Sequence, residues 1–170
     1  MTAASEIIKE EGAIKFTLEA VAQRARISKG GLLYHFPSKE ALVRGMVEEW
    51  ENNYFNSFET LVNKDNKEIG KWNRAYIHST ISNLENKNKK ISSALMAAMF
   101  INPKLLEEFQ YKYNNLVEKL MNDGIEPVKV SIARLALDGL WFSEIFGFSP
   151  LDKQTQKKVF DELFKMIREE

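Results

Sequence analysis

The sequence has 170 residues, of which 44% are hydrophobic and 28% are charged, and its formal net charge at pH 7 is zero. This apolar content is ample for a folded core and excludes an intrinsically disordered chain, while the zero net charge argues against a protein that coats nucleic acid without selectivity. Cysteine is absent, which excludes disulfides, thiolate zinc sites and thiol nucleophiles, and no apolar run is long enough for a signal peptide or a membrane span. We therefore expect a cytoplasmic protein with no membrane partner.

Residues 16–45 carry the pattern of a helix-turn-helix. Thr17 can cap a short helix in which the following apolar residues recur at three and four positions. Arg26 and Ile27 then make a turn, with Ile27 as its apolar plug, and Ser28 can cap a second helix. This second helix is the candidate element for recognising DNA.

The polar and apolar residues of that second helix sort onto opposite sides. Leu32 and Phe36 are spaced to turn back into a small core. The opposite face, which would meet DNA, carries Ser28, Lys29, Gly30, Gly31, Tyr34 and His35.

The two adjacent glycines need an explanation, because each costs a helix about 1 kcal/mol relative to alanine. Close approach of the backbone to another surface, such as DNA, would account for Gly30 and Gly31; the alternative is that they simply lengthen the turn. Pro37 then ends the second helix, and Ser38 can cap the next one. Lys39 falls in the first turn of that helix, where backbone N–H groups also favour a phosphate.

The segment SKGGLLYHFPSKEAL resembles the recognition-helix signature of tetracycline-repressor-like (TetR family) transcriptional regulators, and residues 1–45 are similar to their three-helix DNA-binding head. The resemblance implies that Phe16, Ile27, Leu32 and Phe36 hold the head together. It also implies a set of DNA-surface residues: Thr17, Ser28, Lys29, Gly31, Tyr34, His35 and Lys39. One position departs from the family pattern, since Leu33 stands where members often carry a tyrosine that contacts a phosphate. Leu33 would instead pack within the head or touch a thymine methyl.

Charge is distributed unevenly in a way that supports a DNA footprint. Between residues 24 and 44 a single acid, Glu40, stands against five basic residues: Arg24, Arg26, Lys29, Lys39 and Arg44. A solvated basic face would look the same outside a helix-turn-helix.

Beyond the head, apolar residues recur at three and four positions and prolines fall at junctions, so the pattern predicts an all-α chain. The predicted helices are 38–62, 68–85, 91–101, 104–121, 127–146 and 152–167. Polar loops are predicted at 63–67, 86–90 and 122–124. We therefore predict two domains, a helix-turn-helix head at 1–45 and a helical regulatory and dimerisation body at 46–170.

The last two predicted helices carry more apolar surface than one side of a helix can bury. They could form a two-fold four-helix interface with a second copy, as the family resemblance implies, or bury everything within one chain. The candidate interface residues are Leu135, Gly139, Trp141, Phe142, Phe160, Leu163 and Ile167.

The family resemblance also implies a small-molecule pocket in the body. Soft and aromatic side chains suit an adaptable apolar pocket, although the same residues at helical spacing also form plain core. The candidate lining residues are Trp72, Tyr76, Met96, Met99, Phe100, Phe109 and Tyr113.

No catalytic or metal-binding constellation is present in the sequence: His78 has no ligand-spaced partner, and there is no phosphate-binding glycine loop or serine elbow. We expect no enzyme activity and no cofactor. The leading hypothesis is a dimeric, ligand-responsive repressor of a palindromic double-stranded DNA operator. The alternatives are a small-molecule-binding helical protein whose head has lost DNA binding, for which Leu33 is the one hint, and a helical enzyme.

Overall fold

The computed structural model describes residues 1–85 and 89–168, and this part of the chain forms nine α-helices and no strand, which confirms the all-α prediction. The helices pack into two units. The first is formed by the chain up to Asn52 together with the segment that ends at Glu108; the second is formed by the segments that begin at Asn53 and at Phe109. The predicted domain division after residue 45 stays a prediction.

The helices are α1 Thr2–Glu11, α2 Leu18–Arg24, α3 Lys29–His35, α4 Lys39–Lys64, α5 Lys71–Glu85, α6 Lys89–Phe100, α7 Pro103–Met121, α8 Pro127–Phe146 and α9 Lys153–Met166. A 3₁₀ turn at Ala13–Lys15 lies between the first two. From α4 onward, every described boundary falls within three residues of its predicted position. The predicted polar loop at 86–90 is an exception in part: residues 86–88 lie outside the described residues, and Lys89 and Lys90 already belong to α6.

Side-chain caps fix the starts of three helices in the first unit. Thr17, Ser28 and Ser38 each accept a hydrogen bond from the backbone N–H three residues on, at 3.0 to 3.1 Å. All three caps were predicted, because a cap depends on a residue and its immediate neighbours alone.

The turn between α2 and α3 has a left-handed residue that the sequence did not signal. Arg26 has a φ of 58°, a conformation that non-glycine residues rarely adopt, and it lies in the turn between the two short helices. Ile27 is 46% exposed, so the prediction that it plugs the turn is wrong. The interior of the first unit is formed instead by residues such as Phe16 and Leu32, which are 3% and 5% exposed.

The second unit has a core drawn from all the helices that contribute to it. Its most deeply buried members include Phe58, Ile77, Leu120, Leu137 and Ile167. At the start of α8, Pro127 follows the capping residue Glu126, whose carboxylate accepts two backbone N–H groups, and Gly147 in a left-handed conformation ends the helix.

A buried hydrogen-bond cluster joins two loops of the second unit. The Asp123 carboxylate accepts the backbone N–H and the side-chain amide of Asn73, at 2.9 and 3.1 Å. The Asp123 carbonyl also accepts the N–H of Gly70 at 2.8 Å. Gly70 has a φ of 77°, and a side chain there would lie 2.9 Å from the Arg74 guanidinium, so glycine is required. These contacts hold the α4–α5 loop against the α7–α8 loop.

Candidate functional site

The helix-turn-helix of α2 and α3 presents its polar residues to solvent. All eight residues predicted to face DNA are exposed: Thr17, Ser28, Lys29, Gly30, Gly31, Tyr34, His35 and Lys39. Leu32 is buried and anchors α3, while Leu33 is only half-buried. Tyr34 is 85% exposed and rests edge-on against the His35 ring at 5.1 Å, so its hydroxyl projects beyond the helix surface.

The two glycines lie inside α3 and do not lengthen the turn. A side chain at Gly31 would approach the capping oxygen of Ser28 to 3.2 Å, so glycine there protects the cap. At Gly30 the nearest atom, again the Ser28 oxygen, would be 4.0 Å away. Packing within the chain therefore does not explain glycine at position 30, and its exposed backbone is open to close approach by an external surface.

Two of the basic residues counted in the head are committed to structural ion pairs. Arg24 pairs with three carboxylates of α1, at 2.9 Å from Glu10, 2.9 Å from Glu11 and 3.6 Å from Glu6. These contacts hold α1 against α2. Arg44, in α4, lies 3.3 Å from Glu108 within the same unit. Their charge is thus largely neutralised where it sits, which the sequence count could not show.

The two lysines among the five basic residues between 24 and 44 are both residues that were predicted to face DNA. Lys29 forms an ion pair with Glu19 of α2, and the hydrogen bond from Lys29 lowers the pKa of that carboxyl. Lys39 places its ammonium 5.4 Å from the centre of the Phe16 ring. Neither Lys39 nor Arg26 has an ion pair with any residue that the structure describes. Of the five basic residues between 24 and 44, the two without such an ion pair therefore lie at the turn and at the start of α4.

The predicted pocket residues fall into different units. Met96 and Met99 are buried on α6 in the first unit, and Phe100 there is 53% exposed. Trp72 lies in the second unit under the Lys119 ammonium, which is 4.3 Å from its ring. The structure brings together the remaining three of the predicted lining residues: Tyr76, Phe109 and Tyr113.

These three belong to an aromatic and polar cluster built around Asp138 of α8. Tyr76 donates to one carboxylate oxygen of Asp138, and Tyr113 donates to the other at 2.6 Å. Arg134 lies 3.2 Å from the second oxygen, and Tyr54 hydrogen-bonds to Tyr76. Burial raises the pKa of all three tyrosines, so their hydroxyls stay protonated as donors.

The residues at the centre of this cluster were missed at the sequence level. Arg134 and Asp138 are the i, i+4 ion pair of α8, and they are two of the few charges in a helix that is otherwise mostly apolar. A pair of opposite charges at that spacing within an apolar helix is the signal that could have found them.

The candidate dimer residues fall into a buried group in α9 and at its C-cap and a more exposed group on α8. Phe160, Leu163 and Ile167 are 7%, 4% and 2% exposed and belong to the core of the second unit. Trp141 is half-buried and packs against the same core. The exposed members continue a stripe along α8, which we call the α8 outer face: Val128, Ile132, Leu135, Gly139 and Phe142. Their exposed fractions run from 37% at Phe142 to 62% at Val128 among the apolar side chains.

The described residues form neither a metal centre nor a membrane-spanning helix. No group of three potential metal ligands occurs within 1–85 and 89–168, and His78 is exposed beside the Phe164 ring at 4.9 Å. Over the same residues, no helix has the length and apolar character needed to cross a membrane.

Two family models match the chain. The model of bacterial regulatory proteins of the tetR family matches residues 1–46, and the model of the tetracyclin repressor-like C-terminal domain matches residues 70–168. No curated protein matches.

Solved structures of low sequence identity share the fold. SCO7518 from Streptomyces coelicolor A3(2), which carries the description of a transcriptional regulator, is 16% identical with a TM-score of 0.72, covering 99% of this chain and 95% of its own. Salmonella enterica GusR is 18% identical with a TM-score of 0.66, covering 98% and 92%. The multidrug binding protein EbrR, complexed with imidazole, is 17% identical with a TM-score of 0.65, covering 99% and 88%.

The two family models together cover the helix-turn-helix and nearly all of the second half of the chain, with the recognition-helix segment inside the first match. This chain therefore belongs to the TetR family, whose members are DNA-binding transcriptional regulators with a ligand-binding C-terminal domain and not enzymes.

Proposed function

We propose that this chain is a ligand-responsive repressor, which binds a palindromic operator as a homodimer and is released by a small apolar or amphipathic effector. The observation that carries the proposal is the joint exposure of the eight candidate DNA-contacting residues in and beside the helix-turn-helix. Such a regulator acts on chromosomal DNA, which agrees with the expected cytoplasmic location.

DNA recognition is assigned to α3 and the residues on either side of it. The exposed N-terminal half of α3 would enter the major groove, with Gly30 allowing close approach and Tyr34 reaching outward. Lys39 would contact a phosphate from the first turn of α4, where the helix N-terminus adds a favourable field. Thr17 and Ser28, whose side chains are used as caps, would contact DNA while holding their helices in place.

Dimerisation is assigned to the α8 outer face. An exposed apolar stripe along most of a helix marks a partner-binding surface, and a two-fold axis would bring the same face of a second copy against it. Two heads related by that axis would contact successive major-groove faces, and this arrangement requires a palindromic operator.

Effector binding is assigned to the second unit. A ligand lowers DNA affinity only by preferring a conformation that binds DNA less well. Helices α4 and α7 contribute residues to both units, so each is a continuous element through which the preference could reach the head. The description of EbrR as a multidrug binding protein supports a small organic effector here as well.

The test begins with binding of the purified chain to a pool of random duplexes at two salt concentrations. The retained DNA is sequenced, and fluorescence anisotropy then measures the affinity for the enriched sequences. A palindrome with salt-dependent affinity is the expected result. Retention of DNA with no shared sequence would contradict the proposal and favour the alternative, a ligand-binding protein whose head has lost specific DNA recognition. A reporter placed behind the recovered palindrome distinguishes repression from activation by the sign of the change.

A further inference from the structure

The Asp138 carboxylate is held in the second unit by two neutral hydroxyls and one charged guanidinium. The Tyr113 hydroxyl binds it at 2.6 Å and the Tyr76 hydroxyl binds its other oxygen. The Arg134 guanidinium is farther away, at 3.2 Å from the carboxylate and 3.4 Å from the Tyr113 oxygen. The Arg134 contact is therefore the longest of the three, and it is the one in which the donor carries a charge.

Arg134 is also the partner that can leave. Its side chain is 25% exposed and that of Asp138 is 26% exposed, so solvent reaches the pair. An arginine side chain has several rotatable bonds and can swing into water without moving the helix. The two tyrosine rings are fixed by packing. Tyr76 is 3% exposed and lies 5.6 Å from the Phe58 ring. The Tyr113 ring packs on Phe109.

The two tyrosine hydroxyls that bind Asp138 have no proton free for a ligand. The hydroxyl protons of Tyr76 and Tyr113 are already directed at Asp138, so an anionic ligand would compete with a carboxylate for them. A cationic ligand would instead find the carboxylate oxygen that Arg134 vacates. The negative faces of aromatic rings would add to its binding.

Stacked rings extend from this carboxylate. The Tyr113 ring stacks on Phe109 at 6.0 Å, and Phe109 lies 5.9 Å from Phe55. This row gives an apolar surface for the uncharged part of a ligand whose charged end lies at Asp138.

We propose that the effector is an amphipathic organic cation, whose ammonium or amidinium group takes the place of Arg134 on Asp138 while its apolar part packs on the neighbouring rings. The inference rests on the proposed function in that it takes the second unit as the effector-binding unit. Arg134 then acts as a built-in competitor, which neutralises the carboxylate when no effector is bound and sets the effector affinity.

The test uses three probes that share one ring system and differ in charge: naphthylmethylamine, naphthylmethanol and naphthoate. Isothermal titration calorimetry with the whole chain near neutral pH should rank the amine first. Arg134→Ala should tighten amine binding about tenfold, because it removes the competitor and leaves a charge-assisted acceptor. Arg134→Lys should bring the affinity back toward that of the unsubstituted chain.

Two variants serve as controls. Asp138→Asn keeps the shape of the side chain and should reduce amine binding to the level of the alcohol. Lys158→Ala removes one exposed positive charge from α9 of the same unit and should leave amine binding unchanged.

Three results would overturn the inference. Naphthoate could bind best and lose affinity in Arg134→Ala, which would indicate an anion site. All three probes could bind equally, or Lys158→Ala could raise amine affinity as much as Arg134→Ala does, which would indicate only long-range charge. Because calorimetry uses no DNA, these results are separate from the operator test. Failure to recover a palindrome would overturn the proposed function, whereas the ranking of the three probes decides whether Asp138 binds a cation.

Discussion

Replacing Gly30 by alanine should make the protein more stable and a weaker DNA binder at the same time. The residue lies in the first turn of α3 without a positive φ, and an added Cβ would have no neighbour nearer than the Ser28 oxygen at 4.0 Å. Alanine therefore fits without strain. The unfolded chain loses conformational freedom when glycine is removed, so folding becomes more favourable.

The size of the gain follows from helix propensity. Glycine costs a helix about 0.5 to 1 kcal/mol relative to alanine, and position 30 offers no clash to offset that gain. For a chain of this length the melting temperature should rise by about 1 to 4 °C. DNA affinity should fall about tenfold, or about 1.4 kcal/mol, because the new methyl group prevents close approach of the α3 backbone.

Thermal unfolding followed by circular dichroism and anisotropy on the recovered operator measure the two effects. Asn115→Ala is the matched control, since it exchanges an exposed residue within α7 for a better helix former away from the head. It should raise stability and leave DNA affinity unchanged. Unchanged operator affinity in Gly30→Ala would refute the argument that close approach explains this glycine.

Three further predictions concern single side chains. Lys39→Ala should weaken binding to all duplexes alike and reduce the slope of log affinity against log salt by about 1, as loss of one phosphate contact does. Leu135→Asp should shift the dimer to monomers, measured by sedimentation at micromolar concentration, because Leu135 is 60% exposed on the α8 outer face and two aspartates would face each other across a two-fold axis. Ionisation of Asp123 should destabilise the protein progressively as the pH rises from about 4. Urea unfolding should show this as a loss of stability relative to Asp123→Asn. Burial raises the pKa of Asp123 in the folded state, so the folded chain holds that proton more tightly than the unfolded chain and loses this advantage on ionisation.

Each of these has a contrary outcome. A salt slope unchanged in Lys39→Ala would remove that lysine from the phosphate contacts. Tyr111→Asp, at a 69% exposed position on α7, should leave the dimer intact, and an equal loss of dimer in that variant would make the Leu135 result unspecific. A stability difference between Asp123 and Asp123→Asn that stays constant from pH 4 to neutrality would show that the carboxyl has the same pKa folded and unfolded.

Local chemistry accounts for what the sequence predicted well. The caps at Thr17, Ser28 and Ser38 and the six helices after the head depend on neighbouring residues and on apolar spacing. The prediction for Ile27 failed for the opposite reason, because the burial of that side chain depends on how two short helices pack against each other and not on neighbouring residues alone. The left-handed Arg26 that sets this meeting has no local signal.

The sequence predicted a candidate site well only where polar and apolar residues lie on opposite sides of a helix. In the head, the polar side of α3 is exposed, so the helical spacing of apolar residues was sufficient to predict which residues could contact DNA. In α8 the apolar residues surround most of the helix, and the pattern could not say which side meets the rest of the chain. Tertiary packing assigns Phe160, Leu163 and Ile167 to the interior and leaves Leu135 and Phe142 outside.

Charge is the property for which sequence position misleads most, because the partner of a charged side chain is chosen in three dimensions. Arg24 counts as a basic residue beside the recognition helix, yet three glutamates of α1 surround it. Asp138 counts as a single acid in an apolar helix, yet tyrosines from α5 and α7 and the guanidinium of Arg134 converge on it. A net charge of zero over the whole chain is therefore compatible with a lysine at the start of α4 that has no ion pair among the described residues and with a carboxylate held by tyrosines and one arginine in the second unit, and the proposed DNA and effector sites use one of each.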